Sequence, residues 1–244
     1  MEDGITTAKP AEVLLLLDRY GVADEKEREH LVWLAKNSGH RGWWLEHAPH
    51  LRPDYLDHIA LEDDATYIRE WQPVLFPGLL SAPGYAEAVI TTGPNYVAPE
   101  RVAHLVKARE ARQTKISEGG ATYTAILWES VVTRPLVSAA VQLEQLSWLL
   151  DVGKRQNVTV QVLPFAAGVL AGSTSAFSSF SFGSEPTVEA VALENMRGTS
   201  VLESPEDLAA HANAYDLLRS SALTPDASAK LIRRVLRTSK EDAS

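Results

Sequence analysis

Histidine is the side chain best suited to titrate or to hold a metal near neutral pH, and His40, His47, His50 and His58 fall within nineteen residues, beside Glu46, Asp54 and Asp57. A metal site would need three or four of them to converge. The chain has no HExxH pair, and Pro49 between His47 and His50 opposes the helix that would align those two. Surface or hydrogen-bonded histidines are the simpler expectation, so no metal ligand is assigned. Serines crowd positions 173 to 181, but no GxSxG elbow surrounds them and no histidine follows until His211. Alternation of serine with phenylalanine is what a half-exposed strand produces. Gly168 and Gly172 follow a strand-like run without the lysine of a phosphate loop, and no GxGxxG occurs. Glu62, Asp63 and Asp64 diverge in any regular structure and read as a solvated helix end.

No catalytic residue and no cofactor follows from these patterns, and the chain is expected not to be an enzyme. A hydrolase-like alternative would require Arg69, Glu194 and His211 to converge from separate elements. The ligand-pocket candidates are Trp44, Arg69, Trp71 and Glu194, with the adjacent Trp43 and Trp44 read first as a hinge and second as an aromatic cage. One charge pattern stands out. Lys230, Arg233, Arg234 and Arg237 recur at i, i+3, i+4 and i+7, which gives the last helix a basic side opposite Leu231, Ile232, Val235 and Leu236. That side is either a solvated face or a docking surface for an acidic partner or for DNA phosphates.

The elements that must position these residues can be read in order. Residues 10 to 22 place Val13, Leu14, Leu17 and Tyr20 at helical spacing, and Asp24 can cap a second helix carrying Leu31, Val32, Leu34 and Ala35, ended by residues 37 to 39. Helical character returns at residues 54 to 65, at 97 to 117 with Lys107, Arg109, Arg112 and Lys115 outward, and at 138 to 152 with Leu143, Leu146 and Leu150 along one side. Residues 122 to 128 and 157 to 165 read as strands, paired in parallel across the helix between them. Residues 176 to 182 and 187 to 195 read as an antiparallel hairpin, and two helices, 204 to 220 and 225 to 238, follow, the first with a capping box of Ser204 and Asp207. The fold class is α+β: a short helical N-terminus, then a mixed α/β domain with a small sheet and C-terminal helices. The expected divisions are 1–45, 46–239 and a disordered tail, 240–244.

Bulk properties narrow the function. With 45% hydrophobic and 23% charged residues the 244-residue chain can bury a sizeable core, and no apolar run nears the roughly 20 residues that span a bilayer. No secretory leader is evident, so a cytoplasmic protein without membrane contact is expected. Zero cysteines remove disulfides, thiolate chemistry and cysteine-ligated metals. A formal charge of −9 opposes non-specific binding to nucleic acid.

The stretch EDDATYIREWQPVLFPGLLSAPGYAEAVI, residues 62 to 90, passes from strand (Tyr67 to Trp71) through a turn (Pro73 to Pro77) to helix (Gly84 to Ile90), and its Val74, Leu75, Phe76, Leu79 and Leu80 should fill a buried corner. Pro77, Gly78, Leu79, Leu80 and Tyr85 are its structural hub. WQPVLFPGLLSAPGYAEAVI, the earlier RGWW, and QLEQLSWLLDVGKRQNVTVQVLPFAAG followed by FSSFSF together resemble the C-terminal domain of an actinobacterial family. Those are helix-turn-helix regulators of the xenobiotic-response-element (XRE) class, described as antitoxin-like, Scr-type or WhiJ-like. The resemblance runs from about Pro10 to Leu231, with the family's PGLLQT represented by Pro77, Gly78, Leu79, Leu80, Ser81 and Ala82 and its YA pair by Tyr85 and Ala86. It implies an effector domain in transcription regulation that receives a signal or a small partner protein encoded nearby; a homodimer is compatible with it. Residues 5 to 22 resemble only the last part of the family's DNA-binding domain. The expectation is therefore that DNA is reached only through an upstream helix-turn-helix, with no specific DNA binding by this chain alone. A stand-alone interaction module for a small partner is a further alternative.

Overall fold

The computed structural model describes residues 9–25, 28, 31–32, 35, 43–93, 97–172, 174–195 and 198–242. The backbone divides into two compact units, residues 1–45 and 46–244. In the first, α1 (Pro10–Tyr20) buries Leu17 and ends at Gly21, whose φ of 68° is the left-handed cap that glycine adopts without strain. Arg28 ties the following segment back, donating to Asp18 Oδ1 at 2.6 Å and to the Val22 carbonyl at 3.0 Å. Glu25, Arg28, Leu31, Val32 and Ala35 are helical, as expected after Asp24; the other residues of that helix, its exit at 37–39 and His40 lie outside the described residues. Trp43 and Trp44 meet edge to face, ring centroids 6.0 Å apart, in the 3-10 turn Trp43–Glu46.

In the second unit α2 (Pro53–Asp64), α3 (Pro83–Thr92), α4 (Pro99–Arg112), α5 (Glu129–Thr133), α6 (Ala139–Val152), α7 (Pro205–Ser221) and α8 (Pro225–Asp242) follow in order. All but α5 and α6 start on proline, whose fixed φ suits a first helical turn and whose missing N–H would be unpaired there anyway. Between them β1 (Tyr67–Gln72), β2 (Thr122–Trp128), β3 (Val158–Leu163), β4 (Phe177–Ser181), β5 (Ala190–Asn195) and β6 (Gly198–Leu202) form one sheet in the order β3-β2-β1-β4-β5-β6. β1, β2 and β3 are mutually parallel, and β4, β5 and β6 continue antiparallel. The fold is α+β, with the parallel pairing of β2 and β3 and the β4–β5 hairpin as the sequence predicts. The sheet is larger than expected by β6, a short edge strand with little apolar patterning.

Alternation along β1 assigns the two faces. Trp71 joins Ile126, Leu163, Phe177 and Val191 under Tyr215 and Leu218 of α7, and the Tyr215 hydroxyl donates to the Thr124 side chain at 2.9 Å. Ile68, Glu70 and Gln72 point to the opposite face, where the register aligns Glu70 with Ala125 of β2 and Ser178 of β4. The free edge of β3 is closed by the C-terminal segment. Leu223 N–H donates to the Val162 carbonyl at 2.9 Å, Val162 N–H to Ser228 Oγ at 2.9 Å, and Gln161 Nε2 to the Leu223 carbonyl at 2.8 Å. An edge capped in this way cannot recruit another strand.

Several expectations need correction. Val74 is 61% exposed, while Phe76, Leu79 and Leu80 do fill the corner. The buried side of α6 is Gln142, Gln145, Leu146, Leu149 and Val152, rotated from the Leu143–Leu146–Leu150 line because two glutamines stand on it. α8 runs through Asp242, into the expected tail, since Ser239, Lys240, Glu241 and Asp242 include no helix breaker. At α7 the Ser204 hydroxyl accepts from Asp207 N–H at 3.1 Å and itself donates to the Asp207 carboxylate at 2.6 Å, in place of the reciprocal box. Among the described residues no helix is long and apolar enough to cross a membrane.

Candidate functional site

The hub after β1 is held by side chains reaching its backbone. Gln145 of α6 accepts from Ala82 N–H at 2.7 Å and donates to the Leu80 carbonyl at 2.8 Å, so one amide satisfies both polar groups flanking Ser81. Ser81 Oγ donates to the Pro77 carbonyl at 2.8 Å, and Tyr85 Oη accepts from Phe76 N–H at 3.3 Å. Leu79, Leu80 and Tyr85 are buried. Gly78 is needed for a reason outside the hub: a Cβ there would stand 3.1 Å from Nη1 and 3.3 Å from Nη2 of Arg112.

Arg112 and Glu62 are the charged centre of the domain. They are 5% and 3% exposed and form a forked pair, Nε to Oε1 at 2.8 Å and Nη2 to Oε2 at 2.7 Å. Arg112 also donates to Tyr55 Oη, with its guanidinium 5.3 Å from that ring centroid. Both residues correct the sequence reading, which put Glu62 on a solvated helix end and Arg112 on an exposed basic face. A signal existed: Glu62 continues the stripe of Tyr55, His58 and Ile59, and Arg112 that of Val102, Leu105 and Ala108. Opposite charges on two apolar stripes can be buried only as a pair.

Beside this pair, at the end of the sheet, lies a cavity of about 60 Å³. At about 10–15 Å³ per water, that is room for about four to six heavy atoms. β1 contributes Glu70 and Gln72, and β5 contributes Glu194; both strands are antiparallel to β4, so they run the same way and deliver these side chains at one end. His58 of α2, Tyr85 and Val89 of α3, Arg109 and Arg112 of α4, and Leu75, Phe76 and Gly78 of the hub complete the wall.

Its electrostatics are unusual for a core. Burial pushes the Glu70 carboxyl up to about 7, against the hydrogen bonds from Tyr123 Oη at 2.6 Å and Gln72 Nε2 at 2.9 Å; the charges of Glu194 and Glu62 add to the rise. Burial lowers His58 to about 4, helped by Arg112, so its ring is neutral. The Arg112 guanidinium can only donate, so His58 Nε2, 3.4 Å from Arg112 Nη2, accepts and the ring proton sits on Nδ1. That Nδ1 is buried without a partner.

Of the pocket candidates named from sequence, Glu194 lines this cavity. Arg69 and Trp71 face the other side of the sheet: Arg69 donates to the Pro186 carbonyl at 2.6 Å, and Trp71 is buried with its Nε1 donating to the Thr174 carbonyl at 3.2 Å. Trp44 belongs to the first unit. The hydrolase-like set is also divided, since His211 lies with Phe177 on the Arg69 face, its Nδ1 2.8 Å from the Asp207 carbonyl, while Glu194 is on the opposite face. The histidine-rich segment disperses: His47 pairs with Glu46 at 3.3 Å and His50 stacks on His104 at 3.7 Å. Among the described residues no group of three His, Asp or Glu could hold a metal. Lys230, Arg233, Arg234 and Arg237 are exposed along α8, with Leu231 and Ile232 buried beneath them.

A mixed six-stranded sheet with helices packed on it and a charged cavity at one strand end defines an α+β domain. Residues 55–234 match the family described as a domain of unknown function (DUF5753), and the chain belongs to that family. No curated protein and no solved structure matches it.

Proposed function

We propose that residues 46–244 are the signal-receiving domain of a cytoplasmic, antitoxin-like transcriptional regulator of the XRE class, and that the signal is a small polar molecule bound in the Glu70–Arg109–Glu194 cavity. The observation that carries this reading is the cavity itself. Five separate elements send ionisable side chains to one small space, where a domain needing only stability would place apolar groups. The regulatory setting rests on the motif series around PGLLSAPGYA and its resemblance to XRE-class regulators.

The test is a deletion of the gene in its native host, with transcript profiling before and after complementation by the wild type or by Arg109→Glu. A defined set of transcripts should change on deletion, return with the wild type and stay altered with Arg109→Glu. Unchanged transcripts on deletion would overturn the regulatory reading.

The basic side of α8 supports a second contact. Among the described residues Lys230, Arg233, Arg234 and Arg237 make no ion pair, on a chain whose net charge is −9. This face suits an acidic surface on a small partner protein. Arg233→Glu with Arg234→Glu should abolish co-purification of such a partner from the native host, and undiminished recovery would remove α8 as its docking face.

A further inference from the structure

The cavity wall holds two charges that the fold does not use. Arg112 is committed to Glu62 and Tyr55. Arg109, one turn earlier on α4, and Glu194, at the end of β5, both line the cavity, and neither makes a hydrogen bond or an ion pair among the described residues. They come from different elements and form no ion pair with each other, and the charges of both are felt by His58. In register Glu194 is level with Gln72, two strands away, about 10 Å at the usual strand spacing. An opposed cation and anion facing one small cavity, and not collapsed onto each other, are complementary to a molecule carrying the reverse pair.

We infer that the cavity binds a small zwitterion of the α-amino-acid class, with its carboxylate on Arg109 and its ammonium on Glu194. This rests on the signal-receiving role proposed above and names the class of signal. The parts fit the chemistry of each group. A guanidinium donates to carboxylate oxygens. A carboxylate accepts from an ammonium. A cavity of about 60 Å³ limits what lies fully inside to a molecule the size of glycine or alanine. A ligand with only one charge would leave Arg109 or Glu194 unmatched in a partly desolvated wall, and that mismatch is the source of selectivity.

The experiment is isothermal titration of the 244-residue chain at pH 7 with glycine and L-alanine, set against acetate, propionate, ethylammonium and glycinamide. At least one zwitterion should bind saturably, and each singly charged analogue should bind at least about ten-fold more weakly. Arg109→Ala and Glu194→Gln should each abolish the binding while leaving the melting temperature of the free protein within about 2 °C, because neither side chain holds the fold. The inference falls if no zwitterion binds at tens of millimolar, if acetate or ethylammonium binds as well as the zwitterion, or if both variants bind normally. Failure here, with transcripts still responding to Arg109→Glu in the host, would remove the ligand class and leave the signal-receiving role standing. Failure of both removes both.

Discussion

Arg112 decides what two other residues can be. Its guanidinium lies against Gly78 and is fixed there by the fork to Glu62 and the bond to Tyr55, so a methyl group at 78 would meet an atom that cannot swing away. Gly78→Ala should therefore cost about 1–3 kcal/mol, the usual penalty for overpacking a fixed neighbour. In an Arg112→Met background, itself destabilised by about 3–5 kcal/mol because Glu62 is left buried and unpaired, the same alanine should cost much less. Urea denaturation of the wild type, the two single variants and the double variant measures this, and additive penalties would show that the guanidinium does not set the requirement for glycine. The glycine was legible in the sequence as part of the PGLL turn. Its cause was not, because the guanidinium that excludes a side chain comes from 34 positions downstream.

At the scale of elements, buried glutamine and serine side chains join segments distant in the chain. Gln145→Leu would orphan Ala82 N–H and the Leu80 carbonyl together, a loss of about 2–4 kcal/mol that thermal unfolding should show even though leucine matches the apolar surroundings. Ser228→Ala would strip the buried Val162 N–H of its acceptor at the β3 edge and should cost about 1–3 kcal/mol. Faster hydrogen exchange at Val162 with little change in β5 would locate the damage at that edge; uniform exchange would argue that the edge is not a separate weak point. The same elements show where local pattern stops being informative. In β1 each face carries an isoleucine or aromatic and a charged residue, Ile68 and Glu70 against Tyr67, Arg69 and Trp71, so alternation alone does not say which set faces the cavity. The register with Phe177 and Ser178 of β4 decides it, and that is information from over a hundred residues away. Helices, by contrast, were legible except for the short α5, and proline marks the starts of most of them locally; β6, with Val201 and Leu202 as its only apolar pair, offered no such mark.

For the molecule as a whole, Glu70 and His58, the groups of the cavity that titrate between pH 4 and 7, oppose each other in pH. Glu70 in the folded state keeps, up to about 7, a proton that the unfolded chain releases near 4.5, so its contribution to stability is present at low pH and is lost as pH rises through that window. His58 in the folded state stays neutral down to about 4, whereas the unfolded chain takes up a proton near 6.5, so its contribution appears as pH rises from 4 to 6.5. Each gap corresponds to roughly 3 kcal/mol. Between pH 4.5 and 6.5 the two slopes cancel, and removing one group should expose the other. Relative to the wild type, Glu70→Gln should gain stability progressively from pH 4.5 to 7, by up to about 3 kcal/mol, and His58→Gln should lose its relative disadvantage as pH falls from 6.5 to 4, by a similar amount. Urea midpoints at half-unit steps across pH 4 to 7.5 measure both, and taking differences from the wild type removes the titration of surface carboxylates common to all three proteins. Parallel curves for the three would mean that neither group changes its protonation on folding. Opposite slopes of similar size would mean that the domain holds a neutral histidine and a protonated carboxyl side by side with little net pH dependence of stability, leaving the cavity's charge state free to respond to what binds in it.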